Sequence, residues 1–183
     1  GVNHKKIRKN DNIISAASCT TNCLAPIADV VNKNFTIQNG FMTTIHAFTT
    51  DQRILDNSHK DPRRARSASQ SIVPTSSGAS NAIGEIIPSL KGKLGGIAMR
   101  VPTPNVSLVE FVFNVKKNIS KEKLNNSFSK ASNAYLKNIL NVTKEKLVSI
   151  DFNHNSSSAI LDSSLTNVVG SKMGKISAWY DNE

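Results

Sequence analysis

Ser18-Cys19-Thr20-Thr21-Asn22-Cys23 places a thiol at the start of a helix, and the pattern on either side fixes that placement. Upstream, Asn12-Ile13-Ile14-Ser15 reads as the end of a strand; downstream, Leu24, Ile27, Val30, Val31 and Phe35 recur at helical spacing. Ser18 is then the N-cap, its hydroxyl accepting from a first-turn N–H. A thiol in that first turn faces unpaired backbone N–H groups and the positive end of the helix dipole, and both favour thiolate over thiol. The alternative open to Cys19 from this stretch by itself is a small core cysteine that happens to open a helix. Cys23, one turn further along, reads as structural.

Beyond this helix, Phe41 to Phe48 is rich in β-branched and aromatic residues and follows Asn39-Gly40, which predicts a strand ending near His46. Thr49 to Ser80 has neither helical nor strand period, and a long irregular span inside a compact domain is commonly functional. Ile83, Ile86, Ile87 and Leu90 predict a short helix, Ile97 to Val101 a strand, and Val106 to Val115 a strand with Val109, Phe111, Phe113 and Val115 facing the core. Ser120 caps a second long helix with a stripe of Leu124, Phe128, Ala131, Tyr135 and Ile139. Strand-like runs follow at Leu147–Phe152, Ala159–Leu161, Asn167–Val169 and Lys175–Tyr180, with a turn at Gly170-Ser171. This order predicts an α+β domain with a mixed, largely antiparallel sheet and helices packed on one face.

Composition narrows the class of protein further. The 183 residues are 38% hydrophobic and contain no uncharged apolar run near the roughly 20 residues of a membrane helix. No signal peptide opens the chain, and two cysteines spaced i, i+4 are badly placed for a disulfide, so a cytoplasmic, reducing location is expected. A formal charge of +10 raises the possibility of nucleic acid, but aromatics are only 5% and the basic residues are dispersed as on a solvated surface. Of the four histidines, His4 and His154 fall in polar segments and His59 in the long irregular span. His46, at a strand end, is either a satisfied polar residue or the partner that the thiol needs.

Six ordered segments then resolve the choice. Ser-Cys-Thr-Thr-Asn-Cys-Leu-Ala-Pro at 18–26, Thr44-Ile45-His46-Ala47-Phe48-Thr49, Asp51-Gln52-Arg53, and His59-Lys60-Asp61-Pro62-Arg63-Arg64-Ala65-Arg66 open the series. Met99-Arg100-Val101-Pro102-Thr103-Pro104-Asn105-Val106 and Trp179-Tyr180-Asp181-Asn182-Glu183 complete it. Together they resemble phosphorylating glyceraldehyde-3-phosphate dehydrogenase over nearly the whole chain, where any one segment would be weak. The resemblance implies the catalytic domain at 18–183, ending before the family's C-terminal helix, with 1–17 as the residual last strand of the dinucleotide-binding domain. No Gly-x-Gly-x-x-Gly turn occurs in the chain, so by itself it is expected to be inactive.

The reaction implied is oxidation of D-glyceraldehyde 3-phosphate through a thioester on Cys19, with His46 as base, followed by attack of inorganic phosphate to give 1,3-bisphosphoglycerate. The resemblance assigns the substrate phosphate to Thr49 and Arg100, with Asp51 orienting the arginine. It assigns the attacking phosphate to Ser18, Thr20, Arg64, Ser77 and Gly78, and the nicotinamide carboxamide to Asn182. NAD is the implied cofactor, although Asn57-Ser58 departs from the Leu-Pro pair of NAD-specific members and leaves NADP open. A homotetramer is implied for the full-length enzyme. Ser77 stands where most members have threonine, and Asn81 where lysine is usual. The competing readings are erythrose-4-phosphate dehydrogenase, against which Thr49-Thr50 argues, and a non-catalytic basic RNA-binding module.

Overall fold

The computed structural model describes residues 1–183. Helix α1 (Cys19–Phe35) begins where its cap predicts, with Ser18 Oγ accepting from the Thr21 N–H at 3.1 Å. It runs through Pro26, whose ring removes a donor and crowds the preceding turn at a cost of about 3 kcal/mol. Burial offsets this: Leu24, Ile27, Val30 and Val31 are wholly buried, and each is worth about 1.5–3 kcal/mol. Thr36 then takes a positive φ and turns the chain into strand β1 (Ile37–Ala47).

After β1 come β2 (Val73–Ser76), α2 (Ala79–Ile86), β3 (Leu94–Val101) and β4 (Ser107–Val115). The second half adds α3 (Lys121–Ser132), β5 (Leu140–Thr143), β6 (Ala159–Asp162), β7 (Asn167–Val169) and β8 (Met173–Tyr180). The strands form one sheet in the order β2-β3-β1-β4-β8-β6-β5, with β7 on β8. Pairs β1/β3 and β5/β6 are parallel and the remaining pairs antiparallel, so the sheet is mixed and largely antiparallel as expected. Helix α1 lies on it between α2 and α3. The core between these layers holds 30 buried residues, with Val109, Phe111, Phe113 and Val115 all within 1% of full burial, which is the period-2 face read from the sequence.

Four local expectations fail for physical reasons. Residues 11–18 form no strand, because no neighbouring strand supplies hydrogen bonds, and Ile13 is 94% exposed. Val73–Ser76, within the span read as irregular, pairs with β3 as an edge strand that tolerates Pro74. Helix α3 stops at Ser132, so Tyr135 and Ile139 lie in turns beyond it and Leu140–Thr143 becomes a strand. Leu147–Phe152 is no strand; the Asp151 carboxylate accepts from the Val148 N–H and closes a short 3₁₀ turn at Ser149–Phe152.

Candidate active site

Three elements converge on Cys19. The alternation of β1 turns Met42, Thr44 and His46 toward the helices, and they are 0%, 0% and 3% exposed. His46 therefore points at the N-terminus of α1, where its Nε2 lies 3.4 Å from Cys19 Sγ. Parallel pairing sets Arg100 of β3 directly beside His46, and Arg100 Nη1 reaches His46 Nδ1 at 2.8 Å, the Ala47 carbonyl at 3.0 Å and Thr49 Oγ1 at 3.4 Å. Arg100 forms no ion pair, and its Nε is buried without a hydrogen-bond partner. Burial foremost, with the Arg100 charge added, pulls His46 down to about 4, against a smaller opposing effect of the Ala47 carbonyl.

A second layer, invisible in the sequence, holds these groups. Tyr180 of β8 stands edge-on to His46, ring centroids 5.9 Å apart, and its hydroxyl meets Thr20 at 2.9 Å and Thr44 at 2.7 Å. Burial raises the Tyr180 phenol well above its ordinary value, so it remains a donor. Ser107 Oγ accepts from the Ala47 N–H at 3.0 Å and donates to Asn182 Oδ1 at 2.7 Å, tying the end of β1 to the end of the chain. Val106, just before it, is β-branched at φ 67°, a strained backbone fixed by burial against Phe152 and Ile160. Burial drives the Cys23 thiol well above its usual range, with a smaller contribution from Cys19, and its Sγ donates to the Ala178 carbonyl. Cys23 is core.

Most of the predicted site residues line two cavities that share Cys19, and Thr49, Asp51 and Arg64 line neither. One, of 350 Å³, is lined by Ser18, Cys19, Thr20, His46, Ser77, Gly78 and Arg100 among others. The other, of 560 Å³, includes Cys19, Asn22, Asn182 and residues 154–158. Thr49 lies beside Arg100, its N–H donating to Gln52 Oε1 at 3.0 Å. Asp51 does not orient Arg100: it pairs with Arg64 and lies 3.5 Å from His59 Nε2. Arg64, held also by Asp61 at 3.4 Å, is absent from the lining of the Cys19 cavity. The Thr20 hydroxyl is spent on Tyr180, and Ser18 Oγ on the Thr21 N–H and hydroxyl. No cluster of three or more His, Cys, Asp or Glu side chains is disposed to hold a metal, and no helix is long and apolar enough to cross a membrane.

The site thus sets a cysteine at a helix N-terminus within reach of a strand-borne histidine, on an α+β scaffold with an arginine alongside that no carboxylate pairs. The family model for the glyceraldehyde 3-phosphate dehydrogenase C-terminal domain matches residues 18–182. Glyceraldehyde-3-phosphate dehydrogenase 2 of Nostoc sp. is 54% identical over the whole chain, which spans 55% of that relative. The chloroplastic glyceraldehyde-3-phosphate dehydrogenase B of Pisum sativum is 58% identical over 93% of the chain and 38% of its own length. The Priestia megaterium enzyme is 52% identical over the whole chain, again 55% of that relative. The chain belongs to the glyceraldehyde-3-phosphate dehydrogenase family, and it spans roughly half the length or less of these relatives.

Proposed function

We propose that the gene product carrying this chain converts D-glyceraldehyde 3-phosphate and inorganic phosphate to 1,3-bisphosphoglycerate, the glycolytic reaction of its family, with Cys19 as nucleophile and His46 as base. The observation that carries this reading is the 3.4 Å approach of Cys19 Sγ to His46 Nε2 at a capped helix N-terminus. Thiolate adds to the aldehyde carbonyl, and the Cys19 N–H at the helix start stabilises the oxyanion until it takes a proton from water and becomes the hemithioacetal hydroxyl. As hydride leaves carbon, His46 Nε2 takes the hydroxyl proton, and the hemithioacetal becomes a thioester. Phosphate oxygen then attacks the thioester carbon, the C–S bond breaks, and thiolate is regenerated.

Arg100 and Thr49 are the substrate-phosphate pair in this account. Arg100 lines the cavity beside Cys19 with Thr49 Oγ1 3.4 Å from its Nη1, and the arginine has no carboxylate competing for it. Ser18, Thr20, Ser77 and Gly78 frame the second anion position beside Cys19, which Arg64 joins by leaving Asp51. Asn182 fits a carboxamide: it borders the 560 Å³ cavity with Cys19 and is oriented by Ser107. A nicotinamide cofactor supplies the hydride acceptor there. NAD is the cofactor proposed, with NADP as the alternative for the assay, since this chain contributes only the nicotinamide end. The 183 residues by themselves bind it too weakly for turnover, one hydrogen bond being worth about 1 kcal/mol net.

A homotetramer is the proposed assembly, and exposed Phe41, Leu55 and Ile72 offer apolar area for it to cover. Both cysteines are free, in keeping with a reducing compartment, which the cytoplasm and the chloroplast stroma equally provide. Neither the tetrose-phosphate enzyme nor an RNA-binding module has a feature favouring it. The test is an assay of the gene product with each cofactor, glyceraldehyde 3-phosphate or erythrose 4-phosphate, and phosphate. Higher kcat/KM for the tetrose phosphate, or no phosphate-dependent turnover, contradicts the proposal.

A further inference from the structure

Two groups compete for one nitrogen in this site. His46 Nδ1 has the Arg100 guanidinium at 2.8 Å and the Ala47 carbonyl at 2.7 Å. A ring nitrogen carries either a proton or a lone pair in its plane, so it can donate to the carbonyl or accept from the guanidinium, but not both. The two bonds describe two tautomers. With Arg100 donating to Nδ1, the imidazole proton sits on Nε2 and points at Cys19 Sγ, where it steadies a thiolate but cannot receive a proton. With Nδ1–H donating to Ala47, Nε2 is bare and faces the reacting centre as a base.

We propose that Arg100 is a phosphate-operated gate on His46: capture of its guanidinium by the phosphate of a seated substrate frees Nδ1 to take up a proton from water in the adjoining cavity and donate it to the Ala47 carbonyl, while the Nε2 proton is lost to the same water, leaving Nε2 free to accept the hydroxyl proton. The inference deepens the proposed function and rests on Arg100 being a substrate-phosphate ligand. Arg100 is well suited to move. Its present acceptors, the Ala47 carbonyl, Thr49 Oγ1 and His46 Nδ1, are all neutral, and its Nε has none. A phosphate dianion meets the guanidinium with opposite charge and accepts from its planar fork in a bidentate pair, which none of its neutral acceptors can do, so the dianion wins the competition.

Charge acts in the same direction. The titratable groups facing His46 are Cys19 from α1, Arg100 from β3 and Tyr180 from β8, with Arg64 beyond Arg100. Arg100 is the cation that adds to burial in depressing His46, and a bound phosphate neutralises it. Basicity therefore rises when the aldehyde to be oxidised is in place. An aldehyde lacking phosphate meets the closed tautomer, and its handicap falls on kcat as well as KM. Arg100 is a positioning residue for the base in addition to holding substrate.

The direct test is ¹⁵N NMR of the histidine-labelled gene product in the solid state, where the two ring nitrogens report which carries the proton; His46→Gln assigns the His46 signals. The probe is glycerol 3-phosphate, which has the phosphate and no aldehyde, with glycerol as control. The expected result is a proton on Nε2 without ligand or with glycerol, and on Nδ1 with saturating glycerol 3-phosphate. In Arg100→Ala the proton should sit on Nδ1 throughout. That variant should lose most kcat/KM for glyceraldehyde 3-phosphate, and its kcat for unphosphorylated glyceraldehyde should rise because Nε2 is no longer closed. The same tautomer with and without glycerol 3-phosphate, in a wild-type protein that turns over glyceraldehyde 3-phosphate, overturns the gate and leaves the functional reading standing. Absence of that turnover contradicts the functional reading instead. The wild-type comparison relies on one variant, His46→Gln, and only to assign the signals.

Discussion

At the scale of single residues, exposure separates the two cysteines. Cys19 is half-buried at a helix start against His46, whereas Cys23 is wholly buried and its thiol pushed upward by that burial. Cys19→Ser in the gene product should abolish turnover and Cys23→Ser should retain most of it, as read by cofactor reduction. Iodoacetamide should label Cys19 long before Cys23, and equal labelling would contradict the assignment. His46→Asn should slow hydride transfer by about 10²- to 10⁴-fold, the usual worth of a general base. The cap, the thiol and the histidine were legible because each belongs to a local pattern or to a motif. Tyr180 and Ser107 were not: their bonds join residues 160 and 60 positions apart, which no spacing reveals. The pairing of Asp51 with Arg64 in place of Arg100 is not legible either, because the folding of the irregular span, and not its order, brings Arg64 to it.

At the scale of elements, the best-read strand was β4, whose alternating burial follows from having helices on one face only. The least well read segments were those whose state depends on a neighbour, such as the unpaired chain before Ser18 and the edge strand Val73–Ser76. Register also decides the site, since only the pairing of His46 with Arg100 brings the gate together. The same tight sheet makes Gly174 a sensitive position. A Cβ there would stand 2.7 Å from the Phe113 ring, which is 1% exposed and packed against Phe111 with ring centroids 5.1 Å apart. Gly174→Ala should therefore destabilise by about 1–3 kcal/mol in urea denaturation. Ser120 Oγ accepts from the Lys123 N–H, so Ser120→Ala should cost about 1 kcal/mol by the same measurement.

At the scale of the whole molecule, the depressed histidine links stability to pH. Folded His46 titrates near 4 and unfolded His46 near 6.5, so between these values the unfolded chain binds the extra proton. Stability from this group is therefore intact above about pH 7, falls as pH drops through 6.5, and is fully lost below about 4, a change on the order of 3 kcal/mol. Carboxylates titrate in both proteins, so the measurement is the difference between wild type and His46→Gln, which should show the flatter profile over this window. Equal slopes would mean that His46 is not held neutral.

The central claim is that Cys19 carries the acyl group, and the most direct measurement is to trap it. The gene product is mixed with glyceraldehyde 3-phosphate and oxidised cofactor without inorganic phosphate, quenched in acid within one turnover, and digested for mass spectrometry. A phosphoglyceroyl thioester is expected on the peptide containing Ser18-Cys19-Thr20, confined to Cys19 and discharged when phosphate is added before the quench. An adduct on Cys23, or cofactor reduction with no adduct on Cys19, would contradict it.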